Sequence, residues 1–171
     1  MQVGAVPARR RYLLVAAGVL LLDQLSKWTI LEALAPGELR RVLPGFFNLT
    51  HVRNRGAAFG LFGESESTAV LIFLVGFSLA ALALVLALLW RGVGSWTTGW
   101  GLTLVLGGAL GNLVDRLRSG SVVDFLDFHL SGYHWPAFNL ADSAIVVGAG
   151  LLLLEVLRGH RKTQDPGAHE A

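Results

Sequence analysis

The sequence has no cysteine and few charged residues. None of its 171 residues is Cys, and only 15% are Asp, Glu, Lys or Arg, against roughly 25% in an ordinary soluble domain. The missing cysteine excludes disulfides, thiolate metal sites and a cysteine nucleophile. The scarcity of charge argues against a soluble globule, and with 53% hydrophobic residues the chain is also unlike a disordered one. Lipid is therefore the expected environment of this protein.

The net charge is small as well, at +2, and the basic residues form no stripe with interleaved aromatic side chains. Nucleic acid is therefore not an expected partner. The motifs H-E-x-x-H, G-x-S-x-G and the Walker loop do not occur. His51, His129 and His134 show no metal-ligand spacing. We expect neither a metal nor an organic cofactor.

Four apolar stretches are long enough to cross a bilayer, whose core of ~30 Å needs about 20 residues in a helix. They cover residues 13–34, 69–90, 96–114 and 138–157. Gly107 and Gly111, four residues apart in the third stretch, permit close approach of another helix. The sequence predicts an all-α membrane protein with four transmembrane helices, in which residues 1–171 form a single integral membrane domain.

Basic residues flank both ends of the predicted bundle. Three arginines precede the first span and three basic residues follow the last one, which places both termini in the cytoplasm. Residues 35–68 and 115–137 then lie on the extracytoplasmic side. Turn signals at Pro36-Gly37 and Pro44-Gly45 predict that the first of these segments forms a small β-like cradle with an amphipathic piece.

Asp23 and Lys27 place two charges within the first span, where each ionisable group costs about 3 kcal/mol or more. They are four residues apart, so they share a helix face and can pair. A structural ion pair and a role at a substrate site both remain open. The same two residues argue against a cleaved signal peptide, because they separate the apolar run from the candidate cleavage site at residues 33–35.

Two polar clusters lie at neighbouring ends of the third and fourth spans. Asn112, Asp115 and Arg116 share one helix face through their spacing of three and four residues. Asn139 and Asp142 are again three residues apart, at the start of the fourth span. We expect the two clusters to meet at one interface, although Asp115 and Arg116 also fit a simpler role in anchoring the helix end.

Two further acids, Asp124 and Asp127, lie in an apolar run between these clusters. Two carboxylates held close together in apolar surroundings cannot easily both ionise, so one of them stays protonated. An aspartic peptidase uses such a pair to activate water and to protonate the leaving amine. The spacing leaves open which of Asp115, Asp124 and Asp127 takes part.

Five motifs in this order resemble those of the signal peptidase II family, the bacterial membrane aspartic peptidases that process prolipoproteins. They are Asp23-Gln24-Leu25-Ser26-Lys27, Asn54-Arg55-Gly56-Ala57-Ala58-Phe59, Gly111-Asn112-Leu113-Val114-Asp115-Arg116, Val122-Val123-Asp124-Phe125 and Phe138-Asn139-Leu140-Ala141-Asp142. Together they extend over nearly the whole chain. One departure is the pair Arg53 and Arg55 beside Asn54, where an aromatic and a small residue are more usual.

The resemblance implies that Asp124 and Asp142 form the catalytic pair. It also implies that a set of polar and small residues binds the substrate or supports the site: Asp23, Lys27, Asn54, Gly56, Asn112, Asp115, Arg116 and Asn139. The Asn54–Phe59 segment would fold over the substrate as part of the outer cradle. No metal is implied.

By the same resemblance, the protein would remove signal peptides from prolipoproteins whose Cys carries diacylglycerol, cutting just upstream of that Cys. It would act as a monomer in contact with lipid of the bacterial inner membrane, with its site near the extracytoplasmic face. Two other functions remain open. A small transporter or proton conductor needs acids distributed across the bilayer, and a non-catalytic assembly protein would use Asp23–Lys27 and Asp115–Arg116 as structural pairs.

Overall fold

The computed structural model of the protein describes residues 8–56 and 67–164, with side chains to residue 158. It contains four long helices and a small sheet. In chain order these are α1 (Ala8–Ala33), β1 (Leu39–Leu43), β2 (Phe47–Asn54), α2 (Thr68–Arg91), α3 (Trp96–Ser119), β3 (Val122–Leu130), β4 (Tyr133–His134) and α4 (Leu140–Gln164).

The helix α3 lies at the centre of the bundle and packs against the other three helices. It begins at Trp96, as predicted, because the Ser95 hydroxyl accepts a hydrogen bond from the Thr98 backbone and caps the first turn. It ends after Ser119, where Gly120 adopts a left-handed conformation with φ of 70°. The helix therefore extends about one turn beyond residue 114, where the predicted span ends.

Three helices within the described residues are long and apolar enough to cross a membrane: Arg9–Ala33, Thr68–Arg91 and Leu140–Arg158. The second of these matches the predicted span at 69–90 to within one residue. The first helix begins before the predicted residue 13, and the fourth begins two residues after the predicted residue 138. The central helix α3 is not among the three, so apolar length alone does not establish the predicted count of four.

Glycines on α3 allow α1 to pack directly against its backbone. A Cβ atom added at Gly107 would lie 2.7 Å from the carbonyl oxygen of Ala16, and one at Gly111 would lie 2.5 Å from the Asp23 carboxylate. Both positions are too tight for any larger residue. The prediction that these glycines permit close helix approach is confirmed.

The four strands form one antiparallel sheet in the order β1-β2-β3-β4. Strand β3 carries Val123 and Phe125 on the face that packs against Ile30 and Leu34 at the end of α1. Alternate residues of a strand point to opposite faces, so Asp124 faces away from α1. The predicted fold class was incomplete here, because β3 and β4 come from residues 115–137 and not from the first outer segment.

Candidate active site

Asn139 lies immediately before α4 and contacts two acidic side chains. Its Nδ2 donates a hydrogen bond of 2.7 Å to Asp124 Oδ1, and its Oδ1 accepts one of 2.8 Å from the backbone of Asp142. The Asp142 carboxylate accepts a longer bond of 3.3 Å from the Asn139 backbone. This reciprocal pattern is a capping box at the start of a helix. The cap of α4 therefore brings Asp124 and Asp142 to the same place.

A second asparagine, Asn112 of α3, orients Asp142 from the other side. Its Nδ2 donates a hydrogen bond of 2.7 Å to Asp142 Oδ1. Its Oδ1 accepts hydrogen bonds from Lys27 at 3.1 Å and from Asn139 at 3.3 Å. The side-chain amide of Asn112 therefore connects Lys27 of α1 to the Asp142 carboxylate of α4. The two polar clusters that the sequence placed at one interface do meet there.

Lys27 is buried together with two carboxylates. Its ammonium lies 2.8 Å from Asp23 Oδ2 and 2.8 Å from Asp115 Oδ2, and with Asn112 it has three partners for its three protons. Asp23 also accepts a hydrogen bond of 2.9 Å from the backbone of Ala141. The i, i+4 pairing of Asp23 and Lys27 is confirmed. Asp115 is also an ion-pair partner inside the protein, which excludes a role limited to the surface end of α3.

The end of β2 reaches the same site through Asn54. Its Nδ2 donates a hydrogen bond of 3.0 Å to Asp124 Oδ2, and its Oδ1 accepts one of 2.9 Å from the Gly56 backbone. Arg116 donates a hydrogen bond of 2.8 Å to the Gly56 carbonyl oxygen. Residues 54–56 of the segment expected to fold over the substrate thus lie beside Asp124. Residues 57–59 of that segment lie outside the described residues.

The two acids of β3 have opposite electrostatic surroundings. Burial raises the pKa of Asp124 to about 7, and the charge of Asp142 adds to this effect, while hydrogen bonds from Asn54 and Asn139 oppose it. Burial also acts on Asp127, but hydrogen bonds from Asn48 and His134 outweigh it and lower the pKa of that carboxyl. Only Asp124 of this pair therefore retains a proton near neutral pH.

All ten residues that the resemblance named lie in this one connected network, whereas Asp127 faces Asn48 and His134 on the other side of the sheet. Gln24 belongs to the network and was not predicted. Its Nε2 donates hydrogen bonds of 2.9 Å to Asp115 and 3.2 Å to the Gly111 carbonyl oxygen. The sequence did offer a signal for Gln24, because it is a polar residue of the first motif within an apolar helix. Across the described residues, no three His, Asp or Glu side chains are placed to bind a metal ion together.

Two solved structures resemble this protein over most of its length. Both are described as bacterial membrane enzymes. One has a TM-score of 0.80, with 30% sequence identity, and covers 94% of each chain. The other has a TM-score of 0.76, with 32% identity, and covers 86% of this chain and 92% of the other. The fold is therefore that of an integral membrane enzyme.

Sequence comparison gives the family. The family model described as signal peptidase (SPase) II matches residues 15–158. A protein named lipoprotein signal peptidase from Solibacter usitatus is 44% identical over 155 residues, which are 88% of this chain and 93% of the relative. One of the same name from Ralstonia nicotianae is 50% identical over 143 residues, or 84% and 82% of the two chains. The chain belongs to the signal peptidase II family of membrane peptidases.

Family membership decides among the functional alternatives. The acids Asp23, Asp115, Asp124 and Asp142 are gathered in one network at one end of the bundle, whereas a proton conductor needs acids along its whole path. The expected pairing of Asp115 with Arg116 was wrong, because Asp115 pairs with Lys27 and Arg116 contacts the Gly56 carbonyl oxygen. A purely structural role of the ion pairs also does not account for the peptidase relatives. Both the transporter and the assembly protein are therefore set aside.

Proposed function

We propose that this protein is an aspartic endopeptidase that removes signal peptides from prolipoproteins. The peptidase activity follows from the family match and from relatives named lipoprotein signal peptidase. The observation that carries the aspartic chemistry is Asn139, which contacts both Asp124 and Asp142 through its side chain and backbone. These two carboxylates are the proposed catalytic pair.

In the proposed reaction the pair shares one proton. The ionised carboxylate takes a proton from water, and the resulting hydroxide attacks the scissile carbonyl carbon. The protonated carboxyl donates its proton to the carbonyl oxygen, which gives a tetrahedral intermediate. As the intermediate collapses, the carboxyl that took the water proton donates it to the leaving amine, and the other carboxylate takes a proton back from a hydroxyl group of the intermediate. The raised pKa of Asp124 keeps the shared proton available near neutral pH. Asp124 and Asp142 exchange the roles of acid and base between the two steps.

The remaining polar residues hold this pair in place. Asn112 and Asn139 fix the orientation of the two carboxylates through hydrogen bonds of 2.7 Å. The buried ion pairs of Lys27 connect α1 to α3 beneath them. Arg116 holds the Gly56 end of the outer segment against the site. Such fixed geometry accelerates a reaction because no reorganisation is needed when charge develops.

The proposed substrate carries diacylglycerol on the Cys that follows the scissile bond. Its acyl chains would lie in lipid against the exposed apolar side chains of the bundle, such as Phe73 and Phe77 of α2 and Val146 of α4. We assign α3 as a fourth transmembrane helix, because it is as long as α2 and packed among the other three. The enzyme would act as a monomer in the inner membrane, with cytoplasmic termini and an extracytoplasmic site.

Processing of a purified, lipidated prolipoprotein tests this proposal by gel shift. Asp124→Asn and Asp142→Asn should each lower the cleavage rate by about 100-fold or more, which is the scale of acid–base catalysis. Asp127→Asn is the matched control, because Asp127 lies on the same strand but faces away from the pair. It should cleave at a rate close to that of the wild type.

Two results would contradict the proposal. A folded Asp124→Asn or Asp142→Asn protein that cleaves at the wild-type rate would exclude that residue from the catalytic pair. Equal processing of an unlipidated prolipoprotein would exclude recognition of the diacylglycerol group, while leaving the peptidase chemistry intact.

A further inference from the structure

A cavity of about 160 Å³ lies between α1, the end of α3 and the sheet. It is on the face of the sheet opposite Asp124. Arg53 and Asn54 are consecutive in β2, so they point to opposite faces. Asn54 contacts Asp124, whereas Arg53 is paired with Val123 and lines the cavity with it. The cavity is therefore separate from the catalytic pair.

Two arginines give this cavity an excess of positive charge. Arg53 and Arg118 both line it, and neither has a hydrogen bond or ion pair to any described residue. The acid of the lining, Asp115, is already bound by Lys27 at 2.8 Å and by Gln24 at 2.9 Å. The guanidinium groups of the two arginines remain free to bind an anion, and the fork of an arginine matches a phosphate group well.

The other wall of the cavity is apolar and exposed. Trp28 and Leu31 of α1 line it, and 61% of the surface of Trp28 is exposed. Both residues lie in the last two turns of a helix that is long and apolar enough to cross a membrane. Tryptophan prefers the depth of the lipid headgroups. The cavity thus opens where phosphate groups and the upper parts of acyl chains are found.

We propose that this cavity binds the phosphate of an anionic glycerophospholipid from the surrounding bilayer, with the acyl chains lying along Trp28 and Leu31. The size of the cavity fits this assignment. Pockets for whole drug-sized ligands measure roughly 300–1,000 Å³, so about 160 Å³ holds a phosphate with part of its glycerol and leaves the chains outside.

A simpler explanation accounts for only one of the two arginines. Arg118 lies in the last turn of α3, where a cation interacts favourably with the free carbonyl groups of the helix end. Arg53 lies on a strand, where no such effect operates. A site for an anion explains why both cations face one cavity.

Native mass spectrometry of the full-length protein in neutral detergent tests the proposal. The probes are phosphatidylglycerol, diacylglycerol with the same chains, and soluble glycerol 3-phosphate. Phosphatidylglycerol should bind most tightly. Arg53→Gln and Arg118→Gln should each weaken its binding by about tenfold, as expected for the loss of one charge-assisted contact. Arg41→Gln is the matched control, since Arg41 is an exposed arginine of the same sheet outside the cavity.

Each probe excludes a different explanation. If diacylglycerol binds as tightly as phosphatidylglycerol, the phosphate is not recognised and the proposal fails. If glycerol 3-phosphate binds as tightly, the ligand is a soluble phosphate ester and the lipid assignment is wrong. If Arg41→Gln weakens binding as much as Arg53→Gln, the attraction is general surface charge. Because binding is measured directly, none of these results depends on peptidase activity.

Discussion

The ammonium group of Lys27 in α1 lies 2.8 Å from the Asp115 carboxylate in α3 and equally close to Asp23. One buried cation therefore pairs with two carboxylates and joins two helices. Removing a single member of such a group leaves an uncompensated charge in the interior, which costs more than the group itself contributes. The ion pairs connect α1 to α3 beside the proposed catalytic residues.

Lys27→Met should lower the free energy of unfolding by about 3–5 kcal/mol, because Asp23 and Asp115 lose their counter-charge. Thermal unfolding of the purified protein in detergent measures this. The triple variant that also carries Asp23→Asn and Asp115→Asn should recover much of the lost stability, since it removes all three charges. A single variant as stable as the wild type would show that the ion pairs do not hold the helices together.

The rate of processing should fall as the pH rises through about 7, the pKa of Asp124, because the pair then loses its shared proton. Asn54→Ala removes a hydrogen bond that favours the charged form of this carboxyl. It should raise the pKa of Asp124 and move the alkaline limb of kcat/KM to higher pH, in addition to any loss of rate. A limb that stays in place or moves down would contradict this assignment.

The pKa of Asp124 also predicts how stability depends on pH. The carboxyl has a pKa of about 7 in the folded protein, against an ordinary value of 3.8, so folding favours its protonated form. This contribution is complete below about pH 4 and is lost as the pH rises through 7. The free energy of unfolding of Asp124→Asn should therefore depend less on pH between 5 and 8 than that of the wild type, because the variant has no carboxyl at this position whose pKa is shifted by folding.

Gly111→Ala should destabilise the protein by about 1–3 kcal/mol, because its Cβ would lie 2.5 Å from the Asp23 carboxylate. Displacing Asp23 also disturbs its hydrogen bond to Ala141 at the start of α4, so processing should slow as well. Gly76→Ala is the control, since nothing lies within 4 Å of a Cβ at that position of α2. If Gly111→Ala and Gly76→Ala unfold at the same temperature, the close packing of Gly111 against Asp23 is contradicted.

Arg116→Lys should weaken processing, because lysine keeps the charge but loses the directed contact with the Gly56 carbonyl oxygen. We expect kcat/KM to fall by roughly tenfold, the loss of about one charge-assisted hydrogen bond, with most of the change in KM. Initial rates over a range of substrate concentrations separate the two constants. Arg41→Lys on the exposed strand β1 should leave both unchanged. A fall confined to kcat would place Arg116 at the chemical step.

Hydropathy predicted the helices better than the sheet. Residues 69–90 and α2 agree almost residue for residue, because a long apolar run has few alternatives to a helix. The strand β3 could not be recognised from the sequence. Residues 122–130 are buried on both faces near their start, so apolar and polar residues do not alternate clearly along the strand. Its pairing with β2 is also irregular between Leu49 and Val52, and such a bulge has no sequence signal here.

The candidate site was also predicted only in part, because its helical residues could be grouped from their spacing and its strand residues could not. Helical spacing correctly grouped Asn112 with Asp115, which both contact Lys27, and placed Asn139 beside Asp142. It gave no preference between Asp124 and Asp127, because that choice depends on which face of β3 meets the start of α4. The face is set by packing of the alternate residues of the strand against α1. Only the resemblance to a family made this choice in advance.

The capping box at the start of α4 has a consequence for how the protein is assembled. Asp23 and Lys27 belong to the first helix to be synthesised and can pair with each other at once. Asp115 and the backbone of Ala141 reach them only after much more of the chain has been made. The two charges of this pair can therefore cancel within the first helix. The arrival of the last helix supplies both the backbone partner of Asp23 and Asp142 of the proposed catalytic pair.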